Sequence, residues 1–379
     1  MNQLPPPLSP AGRTRVLSEG RRLVYFGGCD YFRMASHPAT LKAASQAARL
    51  HGLSIGASRM TTGNSPLLVE LERELATFFK VAQALVTPTG STANACLAEG
   101  LAGEFTHVFL DERAHASLQD AVIRMDCRVI RFAHRDPRDL ERRQARLVES
   151  HRILLITDGV FPLDGAIAPL AAYRKVLRRA AWMWVDDCHG AGTVGENGTG
   201  TPELEGIPAT QLVRTLTLSK AFGTYGGVIL GSKAIVGRVV RESRTFATGT
   251  PPPPPCAAAA LEALRLLRSD PAIRERLAAT VLRVKSALTA AGYRLEPSPA
   301  PIVSIIPKTP GKRQALERNL LAEGIHPSFI RYPGGPTQGL FRFALSSEHS
   351  PAQVTALIRA LTAPGKDEET EDTSSPTDE

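Results

Sequence analysis

The sequence predicts an α/β fold with a mostly parallel central sheet and a smaller α/β domain towards the C-terminus. Three observations predict it. From Pro38 onward, short apolar runs alternate with amphipathic stretches, the pattern of βα units. Several of those runs are apolar without a break, as strands covered by helices on both faces require. Five consecutive prolines at 251–255 can continue neither a helix nor a central strand, so they mark the exit from the larger domain.

The expected strands are ALVT (84–87), HVFLD (107–111), RVIRF (128–132), ILLIT (153–157), WMWVD (182–186), TLTLS (215–219) and GVILG (227–231). Between them lie helices with readable starts. Ser65 offers a capping hydroxyl and Pro66 a first helical residue, after which Leu68, Leu71, Leu75 and Phe79 share a face. Beyond the prolines come two long helical stretches, short strands near IVSIIP and FRFAL, and a last helix opened by Ser350 and Pro351. Four units are expected: 1–47 folding against the small domain, a large domain 48–250, a small domain 251–364, and a disordered acidic tail 365–379.

Composition narrows the class of function. The chain has 379 residues, 43% of them hydrophobic, enough for a sizeable core. It begins MNQLPPPLSPAGRTR, without an apolar leader, and has no uncharged apolar run of the roughly 18 residues that a membrane span needs. Its five cysteines are scattered, with no Cys-x-x-Cys pair, so neither disulfides nor a metal site are expected, and a cytoplasmic location is. The formal charge is +8, and seven acids against one lysine over 366–379 contribute −6, leaving +14 on the remainder. The arginines carry no aromatic interleaving, so a solvated basic surface, compatible with anionic substrates, is expected in preference to nucleic-acid binding.

The chemistry concentrates at strand ends. TLSKAFGTYGG (217–227) puts Lys220 after an apolar strand, where a buried ammonium is costly unless it is paired or chemically used. VDDCHGAGTVG places Asp186 at the carboxyl end of another strand, where open α/β sheets bind ligands, and His189 three residues on. TPTGSTANACL leads from a strand into a helix, so the amides of Gly90, Ser91 and Thr92 are candidates for an anion. LDERAHASLQDA sets His115 at a helix start, as suited to capping as to stacking on a ring.

Together with FGGCDYFRMASHP, IGASRMTTGNSPLLVELE, FAHRDPRDLE, TDGVFPLDGAIAPL, FATGTPPP and LFRFALSSEH, these segments resemble, in order from Tyr25 to His349, the alpha-oxoamine synthases. That family belongs to the fold-type I enzymes dependent on pyridoxal 5'-phosphate (PLP), with the aspartate aminotransferase-like fold. The resemblance implies that Lys220 carries PLP as a Schiff base and shuttles a proton. It implies further that Asp186 pairs with the pyridinium, His115 stacks on it, and His189 contacts a cofactor oxygen. Thr217 would bind the phosphate, and Thr248 would reach it from the neighbouring subunit of a homodimer. Arg342 would grip the amino-acid carboxylate. The implied activity is a decarboxylating C-acyltransferase like 8-amino-7-oxononanoate synthase, joining L-alanine to pimeloyl-CoA or pimeloyl-ACP. Another family member using glycine or serine, or a degraded PLP-binding homologue, stands as the alternative.

Five positions depart from the family pattern. Pro162 and Ala166 replace a serine and an aspartate, Asp158 a glutamate, Cys29 an asparagine, and Leu68 a histidine. The five residues Lys220, Asp186, His115, His189 and Arg342 are untouched by these changes.

Overall fold

A computed structural model describes residues 4–332 and 334–363. The predicted acidic tail lies outside them. Three sheets organise the chain. The first is small and antiparallel: β1 (Ser9–Pro10), β2 (Arg15–Ser18) and β3 (Arg21–Val24). The central sheet comprises β4 (Gln83–Thr87), β5 (His107–Asp111), β6 (Arg128–Phe132), β7 (Ile153–Asp158), β8 (Trp182–Asp186), β9 (Leu212–Thr217) and β10 (Gly227–Gly231). Its order is β4-β10-β9-β8-β7-β5-β6. The third sheet is β11 (Ile302–Ile305), β13 (Leu340–Ala344) and β12 (Phe329–Ile330), in that order.

The central sheet is parallel from β9 to β6, and β10 runs antiparallel to both its neighbours. Asp111, Asp158, Asp186, Thr217 and Thr87 therefore end their strands along one edge, which is the ligand-binding edge of such sheets. β5, β7 and β10 are buried along their whole length, which is why they read as apolar runs. β6 is an edge strand with Arg128, Val129 and Arg131 exposed.

Two expectations need correction. The strand predicted over 215–219 ends at Thr217, because Leu218 and the residues after it turn back towards β10. Lys220 thus sits in a tight loop, where Leu218 N donates to Gly226 O and Thr224 N to Leu218 O. A Cβ on Gly223, whose φ is +62°, would lie 2.2 Å from Ala35 N, so the small residues after Lys220 are a steric requirement. The proline run also does not exclude a helix: Pro254 and Pro255 form the first turn of the helix Pro254–Ser269. An amide that would be orphaned there is no loss.

The N-terminal strands, which the sequence reading omitted, lead into a segment stapled to the C-terminal sheet. Val24 N donates to Gly324 O, Ala344 N to Phe26 O and Ser347 N to Tyr31 O. Cys29 and Tyr31 are carried in this way alongside β13. The helices α1 (Pro38–His51) and α2 (Pro66–Phe78) both pack on Pro254–Ser269. α2 buries Leu68, Leu71, Leu75 and Phe78, and truncating any one of the leucines to alanine costs about 2–5 kcal/mol. Leu68 is thus a core residue here. α3 (Gly90–Gly100) and α4 (Ala116–Ala121) follow β4 and β5 directly and bring their N-termini to the ligand-binding edge.

Candidate active site

Asp186 forms the floor. It is 4% exposed, and its oxygens accept from Asn94 Nδ2 at 2.8 Å and from Cys188 N at 3.1 Å. It makes no ion pair among the described residues. Asn94, on α3, also donates to Ser117 Oγ at 2.9 Å, while its own buried Oδ1 has no partner among the described residues. Asp158 ends the adjacent strand opposite Asp186 and accepts from His115 N at 2.8 Å. Burial, then repulsion from Asp186, holds the Asp158 carboxyl well above its ordinary range.

His115 caps α4, with Nδ1 2.7 Å from Ser117 Oγ and Nε2 3.0 Å from the Tyr332 hydroxyl. Burial lowers its pKa, against the pull of Asp186. His189 is buried with Nδ1 2.6 Å from the Tyr31 hydroxyl, and burial reinforced by Lys220 and Arg342 keeps it neutral. The Lys220 ammonium, half-buried, has no hydrogen-bond partner among the described residues. Its field acts on His115, Asp158, Cys188 and His189, which places it in the same pocket.

The anion end differs in detail from expectation. Thr89 caps α3, taking the Thr92 amide at 3.0 Å and lying 2.8 Å from the Thr92 hydroxyl, so of the three residues only Gly90 and Ser91 supply open amides. A Cβ on Gly90 would sit 3.1 Å from Thr217 Cβ and 3.4 Å from Cys188 Sγ. Thr217 therefore stands beside the helix N-terminus, its hydroxyl donating to Gly226 O at 3.1 Å. Thr248 lies apart from this pocket, exposed at the end of Arg244–Thr248, with its hydroxyl on Arg244 O.

Arg342, on β13, forms the opposite wall. Its Nε donates to Pro162 O at 2.6 Å and Nη1 lies 3.6 Å from Cys29 Sγ. Sequence reasoning missed Asn94, Ser117 and Tyr332 and saw Asp158 only as a departure. Asn94 and Tyr31 fall inside the motifs TGSTAN and FGGCDYF; Tyr332, alone in a Gly/Pro-rich stretch, gives no signal.

A family model described as aminotransferase class I and II matches residues 23–361. The chain belongs to this family. Among its class I and II relatives, an 8-amino-7-oxononanoate synthase of Nitrosococcus oceani is 36% identical over 346 residues, 90% of this chain and 92% of the relative. That of Methylococcus capsulatus is 36% identical over 357 residues, covering 92% and 90%. A serine palmitoyltransferase variant from S. paucimobilis, solved with PLP and myriocin bound, superposes with a TM-score of 0.86 at 28% identity, covering 96% and 90%.

The pocket fits the cofactor of that structure. A buried carboxylate without a cation suits a protonated ring nitrogen, a lysine without a partner suits an aldehyde, and two open amides at a helix N-terminus suit a phosphate. Among the described residues no helix is long and apolar enough to cross a membrane.

Proposed function

We propose that the chain is a PLP-dependent C-acyltransferase that condenses L-alanine with a pimeloyl thioester, on CoA or on an acyl carrier protein. The products are 8-amino-7-oxononanoate, CO2 and the free thiol. The reading places the enzyme in the cytoplasm as a homodimer, with Thr248 serving the partner's site. One observation carries it: a cation-free buried carboxylate (Asp186), a partnerless lysine (Lys220) and a guanidinium (Arg342) line one pocket, in a chain related to 8-amino-7-oxononanoate synthases.

When bound, PLP supplies an electron sink for the charge that develops at the amino acid's α-carbon. Asp186 would hold the ring nitrogen, the Gly90 and Ser91 amides the phosphate, joined by the Thr217 hydroxyl once it turns from Gly226 O, and Lys220 the aldehyde carbon. His115 would cover one face of the ring. A Tyr31 hydroxyl that donates to His189 Nδ1 leaves the proton on Nε2, a donor for the cofactor's phenolic oxygen. Arg342 binds the amino-acid carboxylate through its Nη atoms, since Nε is already committed to Pro162 O. Lys220 Nζ takes the α-proton, and the α-carbon then attacks the thioester carbonyl.

The test is borohydride trapping followed by peptide mapping, together with product analysis. Label on Lys220, and one CO2 per amino ketone from L-alanine and pimeloyl-CoA, are expected. An unlabelled Lys220 ends the proposal. Faster turnover of glycine or L-serine than of L-alanine moves the assignment to another alpha-oxoamine synthase. A cofactor spectrum that answers no amino acid favours a degraded homologue, in keeping with Pro162 and Ala166.

A further inference from the structure

The loop 159–168 leaves β7 at Asp158 and returns through a Val160–Ile167 bridge. Its tip is held from across the pocket by three side chains of the C-terminal sheet region. Ser298 Oγ donates to Gly165 O at 2.5 Å, Ser304 Oγ to Leu163 O, and Arg342 Nε to Pro162 O at 2.6 Å. The approach is close: a Cβ on Gly165, whose φ is +76°, would lie 3.1 Å from Ile302 Cβ. The stretch bearing Ser298 is itself fixed, because Lys285 Nζ donates to Ser298 O at 2.7 Å and Arg135 pairs with Glu296 at 3.0 Å.

Pro162 has no amide, so its one polar backbone atom is the carbonyl that Arg342 uses. The height of that carbonyl above β13 is set by the neighbouring carbonyls of Leu163 and Gly165, each tied by a serine. The other end of the loop begins at Asp158, which holds the His115 amide.

We propose that Ser298 and Ser304 are positioning residues for Arg342: by clamping the 162–165 backbone to the small sheet they fix the Pro162 carbonyl, and so aim the guanidinium at the amino-acid carboxylate. This rests on the assignment of Arg342 made above. A clamp of this kind acts on amino-acid binding and not on the chemistry at Lys220. The hydroxyls never touch substrate; they act only through the loop.

The test uses holoenzyme carrying Ser298→Ala, Ser304→Ala, Ser304→Thr and, as reference, Arg342→Ala. KM and kcat for the amino acid, its dissociation constant from spectral titration, and PLP affinity are measured. Each serine-to-alanine change is expected to raise the amino-acid KM and dissociation constant about 3- to 10-fold, the effect of one neutral hydrogen bond. Within about twofold, kcat and PLP affinity stay put, and Ser304→Thr, which keeps the hydroxyl, restores binding. An Arg342→Ala enzyme with weakened amino-acid binding beside serine variants with none overturns the clamp alone. Unchanged binding in Arg342→Ala overturns the Arg342 assignment and the clamp with it. A fall in kcat and PLP affinity without a change in amino-acid binding makes the serines merely structural and likewise overturns the inference.

Discussion

Asp186 and Asp187 are consecutive, both buried and both carboxylates, yet they sit in opposite circumstances. Asp187 is fully served by the chain: Thr201 Oγ1 donates to it at 2.6 Å, Thr201 N at 3.0 Å, and Arg214 Nη2 at 2.6 Å. Gly190 and Gly200 stand where any Cβ would come within 2.0 Å of its oxygens, so the glycines of VDDCHGAGTVGENGTG make room for this cluster. Among the described residues, Asp186 receives one side-chain amide and one backbone amide, and no cation. A buried charge without an opposite partner is an unfavourable arrangement that persists where something outside the chain completes it. The two residues thus separate structural demand from functional demand at one strand end.

Replacing each aspartate by asparagine tests that separation, and Asp186 has the larger expected effect. Asp186→Asn should weaken PLP binding and turnover by about 100- to 4,000-fold, since losing one member of a buried charge pair costs about 3–5 kcal/mol and each 1.4 kcal/mol is tenfold. In the cofactor-free protein the same change removes an uncompensated charge, so its urea midpoint should hold or rise. Absorbance titration with PLP and denaturant curves of both forms read the two effects.

Asp187→Asn should do the reverse. It strands the buried Arg214 guanidinium, which already stacks over Phe79 at 5.0 Å, and should destabilise the cofactor-free protein by about 3–5 kcal/mol. Burial pushes the Asp187 carboxyl up despite Arg214, so the pair's net stabilisation is small even though breaking it is costly. PLP affinity should move only a few-fold. Equal losses of PLP affinity in both variants would erase the distinction.

The same contrast explains what the sequence discloses. Strands β5, β7 and β8 are legible because unbroken apolar runs have no other use at that length, and Asp186 and Lys220 because a charge directly after such a run is an anomaly that demands a reason. The boundary of β9 is not, since Leu218 is as apolar as Leu216 and only the turn to Gly226 decides it. β1 and β12 are two residues each and hold no periodicity to read. In the site, Asn94 and Tyr31 break no local rule: an amide within a helix and a tyrosine beside a phenylalanine are ordinary until packing turns them towards Asp186 and His189. Ser298 and Ser304 are further hidden, because their partners are carbonyls more than a hundred residues away.

A third buried group sharpens the comparison by a different solution, remaining uncharged. His349 is 5% exposed; its Nδ1 accepts from Ser346 N at 3.1 Å and its Nε2 donates to Tyr25 O at 3.1 Å, which fixes the neutral tautomer. Burial, with the Arg33 guanidinium beside it, lowers its pKa from 6.5 to about 3. The folded state therefore binds fewer protons than the unfolded one between these values, so its contribution is fully present above pH 6.5 and is lost as pH falls through that window towards 3. From pH 7 to pH 5.5 the loss should be about 1 kcal/mol. His349→Asn keeps a side-chain oxygen for the Ser346 amide and titrates nothing, so the difference in unfolding free energy between the two proteins should shrink by that amount over the same interval. A difference that does not change with pH would mean that His349 takes up its proton in the fold as readily as in the unfolded chain, and one that grows on acidification would mean that the histidine, like Asp187, has found a counter-charge.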